Sequence, residues 1–151
     1  MLLVRFLALV VILNVLRYLG GFLIEPTAIF PGLTAAMMAS AEYFNTVYDT
    51  FDWVTSFFYN FMMWLTCALV FHLMRPAIRG SDILASFKVF GIMCLFFASV
   101  AAILMNHYSH PKDFYFWIIL DSVLIYAFVA LCNGLLYRRV MGPYAAAGTR
   151  S

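Results

Sequence analysis

Charge is scarce in this sequence. Of 151 residues, nine are Lys or Arg and seven are Asp or Glu, so 11% are charged against 66% hydrophobic and 19% aromatic. An ordinary soluble domain is about a quarter charged. A small protein leaves a large share of its surface exposed and cannot hide so much apolar area within itself. A mean hydropathy of +0.95 therefore requires lipid as solvent. Basic runs are missing as well: none is longer than Arg138-Arg139, and the formal net charge is only +2, which provides no electrostatic footprint for nucleic acid. Cysteine is limited to Cys67, Cys94 and Cys132, all within apolar stretches. An odd number so placed suits reduced packing residues better than a disulfide framework. No phosphate-binding glycine loop occurs, and no nucleophile, base and orienting residue stand together. Internal repeats and low-complexity segments are also lacking.

What is present is a succession of apolar segments long enough to cross a bilayer, each needing about 20 residues. They cover about 2–24, 53–74, 83–105 and 114–136, within a single transmembrane domain over 1–136, followed by a short polar tail over 137–151. Arg5 and the apolar run after it resemble the start of a signal peptide. The first Ala/Ser-rich stretch, from Ala35 to Ala41, lies too far downstream for cleavage, so the segment reads as an uncleaved span. Glu25-Pro26 is expected to end it, and Pro31-Gly32 to mark a further turn. Between Ala41 and Asp52, Phe44, Val47, Tyr48 and Phe51 recur at helical spacing, opposed by Glu42, Asn45, Thr46, Asp49 and Asp52. This pattern predicts an amphipathic interfacial helix between spans 1 and 2. The expected fold is thus an all-α, four-helix transmembrane bundle with that helix at its outer edge.

Positive residues are retained on the cytoplasmic side of a membrane. With both termini cytoplasmic, that side holds Arg5, Arg75, Arg79, Lys88, Arg138, Arg139 and Arg150 against Asp82. The other side holds Glu25, Glu42, Asp49, Asp52 and Asp113 against Lys112. Such an asymmetry requires an even number of spans and points to a bacterial-type cytoplasmic (inner) membrane. Aromatic residues at the entrances to the second and fourth spans, among them Trp53 and Trp117, form the matching outer belt.

Two charges fall well inside apolar segments, where each costs several kcal/mol unless it is paired or reaches water. Arg17 stands seven residues before Ile24, and Asp121 seven after Phe114. At about 1.5 Å per residue both lie roughly 10 Å below the outer surface. Asn60 and Ser99 sit at similar depth on the second and third spans. The four residues Arg17, Asn60, Ser99 and Asp121 are expected to form one intramembrane polar layer, with an Arg17–Asp121 ion pair at its centre. The alternative is that Arg17 snorkels outward along its own stem and Asp121 faces a partner or a shallow water pocket. On the third span Gly91, Cys94, Ala98 and Ala102 make a small-residue face suited to close helix approach, inside the bundle or against another chain.

Histidine offers one further candidate. His107, His110 and Asp113 form a cluster of metal-type ligands, a weak zinc or copper site at the outer surface. His72 belongs to the inner edge, nearly the full hydrocarbon thickness of ~30 Å away. One haem cannot bridge the two groups, so haem is disfavoured, and His72 reads as a hydrogen-bonded interfacial residue. The partners implied are the lipid bilayer and other membrane chains or further copies of this one. Three function classes follow. The leading one is a non-catalytic subunit or helix-docking partner of a larger membrane complex. The second is a small oligomeric channel or transporter using Arg17, Asn60 and Asp121, and the third is a lipid-acting or metal-dependent membrane enzyme.

Overall fold

The computed structural model describes residues 2–44, 47–107 and 112–142. These form five α-helices: α1 (Leu2–Ala28), α2 (Phe30–Met38), α3 (Thr50–Met74), α4 (Asp82–His107) and α5 (Lys112–Met141). There is no strand among the described residues. The four long helices are each long and apolar enough to span a membrane, in the places the hydropathy pattern assigns. His110, the loop around it and the last nine residues of the expected tail lie outside the described residues.

The first span is longer than expected. Pro26 lies inside α1 and removes only the one backbone donor it lacks. The ladder resumes directly, with the Ile29 N–H on the Glu25 carbonyl at 3.0 Å and the Leu33 N–H on the Ile29 carbonyl at 2.9 Å. Helical geometry breaks at Ile29, where φ is −121° and ψ −54°. There the Pro31 ring crowds the preceding turn, and α2 starts with this proline in its first turn, the place where proline is tolerated.

The interfacial helix expected over 41–52 is not found as one element. Ala41–Tyr43 is a single 3-10 turn and Phe44 is extended, while Thr50 to Asp52 already belong to α3. Local side-chain chemistry outweighs the periodic pattern here. The Asp49 carboxylate accepts the Asp52 N–H at 2.9 Å, and the Asp52 carboxylate accepts the Asp49 N–H at 3.1 Å. This reciprocal capping box starts the second span at Thr50. Asp49→Ala should lower unfolding free energy by about 1 kcal/mol, and hydrogen exchange should quicken at the amides of the first turn of α3. Asp49→Asn, which keeps an acceptor, should restore protection.

α5 is the helix against which α4, α1 and α2 pack, and α3 lies across α1 and α4. The core runs along their shared faces: Leu9, Val10 and Leu13 from α1, Trp64, Cys67 and Phe71 from α3, Val89 and Phe90 from α4, and Val129 and Ala130 from α5. Trp64 sits at its centre, 4.9 Å from the Tyr126 ring and 6.3 Å from that of Phe90. α4 and α5 approach so closely at Gly134 that a Cβ there would stand 2.5 Å from the Ile83 Cα.

The end of the bundle expected to be cytoplasmic is held by polar contacts. Arg75 donates to the Asp82 carboxylate at 2.6 Å and to the carbonyls of Ile78 and Gly80 at 2.7 and 2.9 Å. Arg138 of α5 reaches the other Asp82 oxygen. One guanidinium thereby fastens the whole α3–α4 turn, which Gly80 closes at a φ of +107°, a conformation open to glycine at little cost. The Asn133 amide donates to Ser86 at 2.8 Å. His72 shares a 2.6 Å hydrogen bond with the Tyr137 hydroxyl, in keeping with its reading as a hydrogen-bonded edge residue. Tyr137 and Met141, assigned to the tail, are instead buried residues of α5. That helix runs to Met141 because this end has a core to cover, and the Arg5 guanidinium donates to the Met141 carbonyl at 3.3 Å.

Candidate functional site

Arg17 has a different partner from the one expected. Its guanidinium lies 3.3 Å from the Glu25 carboxylate, on its own helix. Both side chains are largely withdrawn from the surface, at 18% and 13% exposure, so the pair is an internal one. Helix geometry explains how residues eight apart can meet. Positions 17, 21 and 25 fall on one ridge, and position 21 is glycine. A Cβ at Gly21 would come within 2.6 Å of the Glu25 carboxylate oxygen. Glu25 therefore folds back over the vacant position toward Arg17, following the tilt of helical side chains toward the N-terminus. The Arg17 guanidinium also stands 4.9 Å from the centre of the Tyr18 ring, within cation–π range.

Asp121 joins this pair without bonding to it. It lines, with Arg17, a cavity of about 70 Å³ bordered by Met63, Trp64, Phe97 and Tyr126, which is room for a few water molecules. The charges of both Glu25 and Arg17 act on its carboxylate. One of its oxygens, Oδ1, is shut off from the surface and has no hydrogen-bond partner among the described residues. The direct Arg17–Asp121 ion pair is thus replaced by an Arg17–Glu25 pair with Asp121 beside it.

The other two members of the expected layer are placed elsewhere. Asn60 accepts a 2.8 Å hydrogen bond from the Trp64 indole, so it orients the central tryptophan one turn along α3. Ser99 is exposed on α4 and donates to the Leu95 carbonyl of its own helix at 2.8 Å. It follows Phe90 by nine residues, which is two and a half helical turns, and so faces away from the core.

The small-residue face of α4 borders an outward groove. Cys94 is buried, but a Cβ at Gly91 would meet nothing within 4 Å. Gly91, Cys94 and Ala98 line a cavity of about 310 Å³ whose opposite wall is Val123, Ala127 and Ala130 of α5. Ala102 continues the same face above it, half-buried. Among the expected metal ligands, His107 is exposed and its Nδ1 lies 2.8 Å from the Ile103 carbonyl. Asp113 is exposed in the first turn of α5, and His110 lies outside the described residues. Among the described residues no three His, Cys, Asp or Glu side chains come together.

Glu25 is the residue that sequence reasoning missed. Its signal is the Arg17, Gly21, Glu25 spacing, obscured because Glu25-Pro26 reads as the end of the helix. Comparison with protein families, with curated proteins and with solved structures finds no match to this chain.

Proposed function

We propose that this chain is a non-catalytic, multi-pass subunit of a larger complex in a bacterial-type cytoplasmic membrane, with both termini cytoplasmic, and that it docks an apolar transmembrane helix of another protein. The observation that carries this reading is the groove between α4 and α5. Small side chains at Gly91, Cys94 and Ala98 run along its α4 side beside Phe87 and Leu95, and the space over Gly91 is open. Small residues at helical spacing let a second helix bring its backbone into van der Waals contact, the main source of helix association in lipid. An acyl chain is already slender and needs no such clearance. The distribution of positive charge supports the orientation.

The test is Gly91→Leu. The position is exposed on a helix, so the substitution does not harm the fold and gains helix propensity of about 1 kcal/mol. Native mass spectrometry in mild detergent should show the wild-type chain with one stoichiometric companion of different sequence. Gly91→Leu should lose it at an unchanged melting temperature. A wild-type chain that is alone or bound only to itself, or a companion retained by Gly91→Leu, removes the reading. A second reading, a small oligomeric channel or transporter, is favoured by the shared cavity of Arg17 and Asp121. Uptake or conductance in liposomes containing only this chain would support it.

A further inference from the structure

The cluster in the outer half of the bundle does not balance its charge. It brings one cation, Arg17, together with two carboxylates, Glu25 and Asp121. Glu25 has the guanidinium at 3.3 Å as its counter-charge, although its Oε1, like Oδ1 of Asp121, makes no hydrogen bond among the described residues. Among the described residues Asp121 makes no ion pair, and its Oδ1 is buried without a hydrogen-bond partner. An ionised carboxylate so placed carries into an apolar layer more negative charge than the single guanidinium balances. Among the described residues, the groups around it offer no second cation. From α1 come Arg17 and Glu25, with Tyr18 beside Arg17. α2 has no titratable side chain. α3 contributes Met63 and Trp64 and α4 contributes Phe97, while Tyr126, with Cys67 and Cys94 behind it, stands on the helix of Asp121 itself.

We infer that the Arg17–Glu25–Asp121 cluster is a proton-binding site, in which Asp121 holds one exchangeable proton and Glu25 remains the counter-ion of Arg17. The bound proton brings the cluster to neutrality and converts the orphaned carboxylate into a hydrogen-bond donor. The adjoining cavity of about 70 Å³ accommodates the water through which the proton exchanges. This site and the docking groove share the Tyr126 side chain as a wall but no titratable carboxylate.

Dicyclohexylcarbodiimide, which attacks protonated carboxylic acids in apolar surroundings, reads the proton directly in the full chain in liposomes. Peptide mass spectrometry should find the adduct on Asp121. Its rate of formation should fall about tenfold per pH unit above the midpoint of titration. Labelling of Asp121 that is absent or indifferent to pH overturns the proposal. Labelling that sodium abolishes at fixed pH assigns the place to a metal cation and overturns it equally. The infrared spectrum of the wild-type protein provides a second measurement that needs no variant: a protonated carboxyl band must be present and must vanish on alkalinisation. Asp121→Asn, which mimics the protonated acid in shape and charge, should lack the band and melt no lower than the wild type. A band that survives Asp121→Asn places the proton elsewhere.

Discussion

Asp82→Ala is expected to be among the most destabilising single substitutions in the chain, lowering unfolding free energy by about 3 kcal/mol, the lower end of the range for breaking a buried ion pair. The Arg75 and Asp82 side chains are only 7% and 8% exposed, so Arg75 loses its counter-charge in a place where water cannot replace it. Arg138, at 59% exposure, can rehydrate, which holds the loss below the upper end of that range. The carbonyls of Ile78 and Gly80 still accept from Arg75, but they carry no charge. Asp82 is also in the first turn of α4, so its removal forfeits a favourable interaction with the helix dipole. Unfolding in mixed micelles, followed by circular dichroism, should show the loss. Asp82→Asn should fall between the two, because it keeps an acceptor for Arg75 and loses the charge. Arg138→Ala should cost well under half as much as Asp82→Ala. Equal losses for the two variants would mean that Asp82 serves Arg138 rather than Arg75, contrary to the burial of the pair.

How much of this was legible in the sequence differs by kind of signal. Hydropathy is summed over twenty residues, so four spans were readable and each falls on a helix. Ends are decided by a few atoms. Pro26 reads as a terminator but costs one hydrogen bond in a ladder that closes again at Ile29, and the Asp49–Asp52 box outweighs an apolar repeat across 41–52. Depth along a helix was legible for Arg17 and Asp121, because rise per residue is nearly constant. Pairing was not, since equal depth on two helices does not by itself bring two side chains together. Arg17 had a carboxylate on its own ridge, reachable because Gly21 leaves the ridge vacant between them. Ser99 shows a different failure, in which the helical phase points away from the core. The ion network of Arg75, Asp82 and Arg138 left no pattern at all. It depends on the path of a six-residue turn and on α5 continuing five residues past Leu136.

Gly134→Leu should be comparably damaging, through backbone rather than charge. A Cβ at position 134 would stand 2.5 Å from the Cα and 2.9 Å from the backbone nitrogen of Ile83. Backbone in the first turn of α4 cannot rotate out of the way as a side chain can. The helices must separate, and the contacts stacked on either side of Gly134 separate with them. Asn133 would be drawn from Ser86, and Val129 and Ala130 from the core they share with Val89 and Phe90. Overpacking of this kind costs about 1–3 kcal/mol, and leucine, which adds a full side chain beyond the clashing Cβ, belongs at or above the top of that range. Gly134→Ala tests the same contact with the smallest possible intrusion and should already lower the melting temperature, although alanine is the better helix former by about 1 kcal/mol. That opposition makes the result diagnostic. At Gly91, where nothing lies within 4 Å, the same glycine-to-alanine change should raise stability. If Gly134→Ala and Gly91→Ala shift unfolding in the same direction, α4 and α5 do not meet at Ile83 as described.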